Sequence, residues 1–266
     1  MSHTQASPTG KVALVTGSSR GIGRACIERL ADTHQGLVIH CRRTPELAEA
    51  VADGLRSTGH SVLVCEAELE DEKQVDAMFD AITDRFGRLD TLVASAAAGA
   101  IKAVVEQSRR HVDRTMATTV GSFIQMVSRS QPLFPGTGRI VTISGLDSRF
   151  FIPLHGVMGA AKAAYESLTR SLAVELAASG VTVNTVVPGS VETDSHELYS
   201  QFQEAVLAAT PDGRLANAEE IAEVVAFFCS DMASHITGQS LVIDGGLSAG
   251  GGPWALFANE RSTTSA

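Results

Sequence analysis

Cysteine is scarce in this 266-residue chain, with four, and tyrosine is scarcer, with two. The thiols of Cys26, Cys41, Cys65 and Cys229 form no C-x-x-C pair. That spacing excludes a disulfide framework and a thiolate zinc site, and it reads as buried thiols in a reducing compartment. No apolar run reaches the roughly 18 residues that a membrane helix needs. Residues 1–9 are polar and lack the apolar segment of a secretory signal. The chain is therefore expected to be cytoplasmic, with no membrane partner. The eight histidines show no H-E-x-x-H or other ligand spacing, so no metal site is expected. A formal net charge of −9 argues against nucleic acid as a partner. No linker or break in composition interrupts residues 10–247, and no repeat is present. One domain over 11–249 is expected, with a flexible N-terminus (1–10) and a C-terminal tail (250–266).

Against these absences stands an ordinary globular composition, 44% apolar and 19% charged. Short β-branched runs alternate with helical stretches. Strands are expected at 11–16, 36–41, 61–66, 90–95, 139–143, 181–187 and 240–243. Helices are expected at 21–32, 45–57, 71–86, 156–179, near 195–209 and at 217–230, and a long helical region interrupted near 108 is closed by the turn at 132–138. The strands are continuously apolar, as a sheet covered on both faces requires. The expected fold is α/β: a Rossmann-type doubly wound parallel sheet of about seven strands.

The segment Thr16-Gly17-Ser18-Ser19-Arg20-Gly21-Ile22-Gly23 follows the first strand and opens the first helix. Gly17 permits a tight turn, Gly21 lets backbone approach a pyrophosphate, and Gly23 lets the helix pack on the sheet. The helix N-terminus then offers N–H groups to phosphates. In this strand–turn–helix context the pattern predicts a nicotinamide dinucleotide site. After the second strand, where an acid would hold the ribose of NAD, the chain reads His40-Cys41-Arg42-Arg43. Two guanidinium groups there, with Arg20 in the turn, suit a 2′-phosphate. The expected cofactor is NADP(H).

These residues, with Glu68-Leu69, LVASAAAG at 92–99, RIVTIS at 139–144, Lys162, VNTVVPGSVET at 183–193 and VIDGG at 242–246, resemble the short-chain dehydrogenase/reductase family over nearly the whole chain. The resemblance implies that Glu68-Leu69 flank the adenine and that Ser95 and Ala96 line the ribose. It further implies that Pro188, Gly189 and Val191 border the nicotinamide and that Thr193 meets its carboxamide or the pyrophosphate. It also implies a homotetramer or homodimer and a lid over 194–210. The family commonly pairs a serine with Tyr-x-x-x-Lys. Here Lys162 is present, but Met158 holds the tyrosine place, Gly145 the serine place and Thr119 the place of a helix asparagine.

The stretch Ser144, Ile152-Pro153, Val157-Met158-Gly159, Ala161-Lys162-Ala163 is similar to the enoyl-thioester reductase branch, which carries Tyr-x6-Lys, as is Ser95. The tyrosine of that pattern is His155 here. Seven helical residues turn through about 700°, so His155 and Lys162 would share a face with Cα atoms about 10 Å apart. Imidazole can donate a hydrogen bond or a proton to a developing enolate oxygen. Asp147 is placed to orient it, and Asp113 and His111 are further polar residues on the cleft side. The expected activity is NADPH-dependent reduction of the C=C bond of a 2-enoyl thioester carried on CoA or acyl carrier protein. His155, Lys162 and Ser144 are the expected catalytic residues. The alternatives are a 3-keto reductase or alcohol dehydrogenase of the same family, and a non-redox NADP(H)-binding protein such as a sensor, partner subunit, cyclase or dehydratase.

Overall fold

The protein is described here from a computed structural model covering residues 10–192 and 200–250. Seven strands alternate with helices along the chain. They are β1 (Val12–Val15), β2 (Gly36–Cys41), β3 (Ser61–Glu66), β4 (Thr91–Ala94), β5 (Gly138–Ile143), β6 (Val181–Pro188) and β7 (Ser240–Ile243). The helices are α1 (Gly21–Leu30), α2 (Pro45–Ser57), α3 (Glu72–Phe86), α4 (Arg109–Met116), α5 (Ser122–Ser130), α6 (Gly156–Glu175), α7 (Ser200–Ala209) and α8 (Ala218–Cys229). Every strand pair is parallel, and the order is β3-β2-β1-β4-β5-β6-β7. This is the doubly wound sheet expected from the sequence.

Alternation along β1 shows how one sheet buries two faces. Ala13 and Val15 point into a core built with α1, α2 and α8. Val12 and Leu14 point the other way, into a core built with α3, α5 and α6. Both sets are fully buried, which is why the strands read as unbroken apolar runs. The four cysteines are free and buried, as expected. Burial pushes the Cys65 thiol up to about 11 and the Cys229 thiol up to about 12, so neither is a thiolate nucleophile at neutral pH.

The chain reverses direction across the sheet between β1 and β4, the crevice where such folds take their ligands. The glycine turn sits there. Gly17 has φ +69, and a Cβ on it would lie 3.2 Å from Ala96 Cα. A Cβ on Gly23 would lie 2.3 Å from Gly17 O, so only glycine lets α1 close on the turn. Thr16 Oγ1 accepts from the amides of Ser95 (3.0 Å) and Ala96 (3.1 Å), tying the turn to the end of β4.

His40, at the end of β2, braces the same turn. The Gly17 amide donates to His40 Nδ1 (3.0 Å), so the ring proton lies on Nε2, which donates to Ala67 O (3.0 Å). Burial drives its pKa down to about 4, and burial does the same to His34. Both rings fold neutral.

One feature departs from the expected long helix. Ser108 caps α4, but α4 then runs through a π-helical turn, Ala117–Gly121, into α5. Among the described residues no helix is long and apolar enough to cross a membrane.

The two buried histidines set an acid limit. Between about 6.5 and about 4, the unfolded chain takes up protons that the folded chain refuses, so stability is full above this window and falls across it. His40→Gln should make that fall shallower by one proton, about 1.4 kcal/mol per pH unit. Urea midpoints at pH 7.0, 5.5 and 4.5 check this; an unchanged slope would overturn it.

Candidate active site

The adenosine end of the crevice is made by β2 and β3. Ser18 Oγ donates to Val15 O (2.7 Å) and accepts from the His40 amide (3.1 Å), and Ser19 Oγ bonds Thr44 Oγ1 (3.0 Å). Arg20 is the exposed N-cap of α1 and supplies no side-chain cap. No side-chain oxygen from the cap residue thus competes with a phosphate for the first-turn N–H groups. Arg42 Nε donates to Glu68 Oε2 (2.5 Å), and Arg43 Nε donates to Glu68 Oε1 (3.0 Å). Burial would raise the Glu68 carboxyl, but its bonds to Arg42 and then Arg43 outweigh that and hold it low. Arg42 Nη2 is buried and makes no hydrogen bond. A buried donor without an acceptor is costly, so its position beside the glycine turn fits an incoming phosphate. Leu69 is buried beneath, in the α3-side core.

The nicotinamide end is made by the C-terminal ends of β5 and β6 and by α6. The Gly189 amide donates to Ile243 O (2.8 Å), and Val191 bridges to Ala216. Pro188 closes β6. Thr193 and residues 194–199 of the expected lid lie outside the described residues, and the rest of the lid begins with α7. Lys162 is 7% exposed and its Nζ donates to Ile143 O (2.5 Å). Burial lowers it to about 8, with Asp147 pulling the other way.

His155 is the N-cap of α6 rather than a residue within it, and its side chain is 18% exposed. Its Nδ1 lies 3.1 Å from Asp147 Oδ2, so the expected orienting pair is present. Leu154, just before it, has φ +67, the one positive value among described non-glycine residues. That strained position is held by the Lys102 amide, which donates to Leu154 O (3.0 Å).

Glu166 was not visible as a site residue in the sequence. It lies one helical turn beyond Lys162 and is 7% exposed. It accepts from Ser148 and from Arg149 Nε (3.0 Å) and Nη2 (2.5 Å). Burial would raise its carboxyl, but Arg149 and Ser148 outweigh this and hold it low. The result is a clamp: the loop after β5, which carries Asp147, is pinned to α6. The only sequence signal was a glutamate four residues from the family lysine, on its face of the helix.

Two expectations change. Ser144 Oγ is buried and donates to Lys162 O and Glu166 Oε1 (both 3.3 Å), so it serves the clamp rather than facing substrate. His111 is a helix-start residue that forms a capping box with Ser108, whereas Asp113 pairs with Arg109 (2.6 Å) and lines a cleft at the adenosine end rather than at His155. Tyr165 is 1% exposed and edge-on to Phe123, with ring centroids 5.1 Å apart. Burial raises its phenol well above the ordinary tyrosine value, which removes it as a proton donor.

The departures from the family pattern fit one another. A Cβ at Gly145, the usual serine place, would lie 2.7 Å from Asp147 Oδ1. A Cβ at Gly159 would lie 2.2 Å from Asp147 O. The two glycines make the room that Asp147 occupies. Met158, in the tyrosine place, covers Gly99, where a Cβ would lie 2.6 Å from Met158 Cε. Thr119, in the asparagine place, is fully buried in the π turn, and its hydroxyl makes no hydrogen bond.

Comparison with known proteins identifies the family. A family profile described as Enoyl-(Acyl carrier protein) reductase matches residues 17–248. A 1-cyclohexenylcarbonyl-CoA reductase of Streptomyces collinus is 35% identical over 255 residues, covering 94% of this chain and 91% of that protein. A 3-oxoacyl-[acyl-carrier-protein] reductase of Escherichia coli is 35% identical over 242 residues, covering 90% and 97%. The crystal structure of a short chain dehydrogenase from Burkholderia cenocepacia in complex with NADP superposes with a TM-score of 0.86 at 31% identity, covering 90% and 98%. The chain belongs to the short-chain dehydrogenase/reductase family, and it is an NADP(H)-dependent oxidoreductase.

Gly145→Ser should break the Asp147–His155 contact, because even its Cβ would crowd the Asp147 carboxylate. In ring-labelled histidine NMR spectra, the Nδ1 correlation of His155 to Asp147 should disappear in Gly145→Ser as it does in Asp147→Ala. A signal retained in the serine variant would show that the loop yields without releasing His155.

Proposed function

We propose that the protein reduces the C=C bond of a 2-enoyl thioester, carried on CoA or acyl carrier protein, at the expense of NADPH. The observation that carries this reading is the placement of His155, aimed by Asp147 and seven residues before Lys162, with Met158 in the usual tyrosine place. The description of the matching family profile and the printed activity of the Streptomyces collinus relative support it.

Arg42 and Arg43 would hold the 2′-phosphate, the α1 N-terminus the pyrophosphate and Lys162 the nicotinamide ribose. When bound, NADPH supplies a hydride to the β-carbon. Negative charge then develops on the thioester oxygen, and the protein must stabilise it. With Nδ1 against Asp147, Nε2 is the ring atom that addresses that oxygen. Donation from Nε2 while Nδ1–H faces Asp147 needs the doubly protonated ring, whose charge the carboxylate balances. A proton delivered to the α-carbon completes the reduction. An enolate is less basic than an alkoxide, so histidine meets the demand that ketone reduction usually puts on a tyrosine.

The surroundings suit an apolar acyl group. The hydrogen bond that the Lys102 amide donates to Leu154 O, and Val104 Cγ2 lying 2.2 Å from where a Gly156 Cβ would stand, bring the 101–105 stretch against the start of α6. Val104, Val105 and Leu154, exposed there, give His155 an apolar border. Phe150 and Phe151, on the loop leading to it, are exposed as well.

The test is NADPH oxidation with paired 2-enoyl and 3-keto thioesters, on CoA and on acyl carrier protein, beside His155→Phe. Enoyl turnover that falls about 100-fold in the variant is the expected result. Enoyl turnover that survives would keep the reaction and remove His155 from it. Turnover of the keto set alone would make the protein a carbonyl reductase. Tight NADPH binding with no turnover would favour a non-redox role.

A further inference from the structure

The charges around the 2′-phosphate position do not stop at β2. A cleft of about 800 Å3 runs outward from them, bordered by Arg43, Glu68, Glu70, Arg110 and Arg114. Arg114, on α4, forms an ion pair with Glu70 (Nε to Oε1 3.1 Å), and its Nη2 lies 4.0 Å from Glu68. Glu68 is the carboxylate that holds both Arg42 and Arg43. Glu70 lies 3.8 Å from Arg42 and accepts the Thr118 hydroxyl at 2.8 Å. Three guanidinium groups and two carboxylates thus form one chain of alternating charge.

That chain creates a conflict when NADP(H) binds. A 2′-phosphate brings up to two negative charges against Arg42 and Arg43. Glu68 already occupies both, and a carboxylate beside a phosphate is repelled unless a cation answers it. Arg114 stands within about an ångström of bonding distance to Glu68, on an element that takes no part in the glycine turn or in β2. Its side chain is 43% exposed, paired closely with Glu70 and only loosely with Glu68 among the described residues, so it has room to swing.

We propose that Arg114 is a positioning residue for cofactor choice. It takes Glu68 as its own counter-ion when Arg42 and Arg43 turn to the 2′-phosphate, and so releases them for NADP(H). NAD(H), which has no 2′-phosphate, demands no such exchange. Arg114 therefore favours one dinucleotide over the other without touching either.

Isothermal titration calorimetry with NADPH and NADH tests this on the wild type, Arg114→Gln, Glu68→Gln and the double variant. Arg114→Gln should weaken NADPH about tenfold and leave NADH within about twofold. Glu68→Gln should bind NADPH at least as tightly as the wild type. On that background, Arg114→Gln should cost less than about twofold, because the carboxylate it answers is gone. Unchanged NADPH binding in Arg114→Gln would overturn the proposal. So would equal weakening of both cofactors, or an equal loss with and without the Glu68 charge. NADH binding also serves as the check that each variant is folded.

Discussion

A buried carboxylate cannot stand alone in a protein interior, and Glu166 is the one on which this site is built. Desolvating its charge is tolerable only because Arg149 and Ser148 meet it with three hydrogen bonds and Ser144 adds a longer one. All three partners lie on one loop, and Glu166 lies on α6. Satisfying the charge therefore fixes the loop to the helix. Asp147 rides on that loop and Lys162 on that helix, so the clamp sets the distance between the group that aims His155 and the group expected to hold the ribose. The strain at Leu154 is affordable for the same reason: both ends of its segment are held.

Seen from this clamp, the missing family residues are a coherent exchange. The usual serine place is a glycine because Asp147 needs its volume. The usual tyrosine place is a methionine that packs over Gly99 instead of presenting a hydroxyl. In the proposed reaction the proton-handling role moves three residues towards the N-terminus, from inside α6 to its cap. At a cap, the histidine gains freedom of approach but loses the rotamer restraint of a helix interior, and the Asp147 contact restores that restraint. Lys162 stays, because holding a ribose and lending positive charge serve either donor. Its lowered pKa shows how dry the position is.

The alternation of strands and helices, the glycine turn, the two arginines after β2 and the His155–Lys162 spacing could all be read along the chain, because each depends on residues close in sequence. Even the Asp147–His155 pair spans only eight positions. What escaped depends on contacts between distant segments. Nothing local marks His40, within β2; its role appears only once the glycine turn and Ala67 converge on its two ring nitrogens. Ser144 looked like a catalytic hydroxyl until the helix opposite supplied its acceptors. Glu68 looked like a cofactor contact, and only folding brings it against Arg42, Arg43 and Arg114. The π turn has no local signature, since Ala117–Gly121 contains good and poor helix formers alike.

That turn links the two ends of the cleft. An inserted residue rotates everything beyond it by about 100° relative to what precedes it. Before it, α4 presents Arg114 to the carboxylates at the adenosine end. At the turn, Thr118 binds one of those carboxylates, and Thr119 is turned into the core. Beyond it, α5 presents Phe123 to Tyr165, whose ring lies 5.2 Å below the Lys162 ammonium. Arg114 before the turn and Phe123 after it thus brace the adenosine end through charge and the Lys162 end through packing.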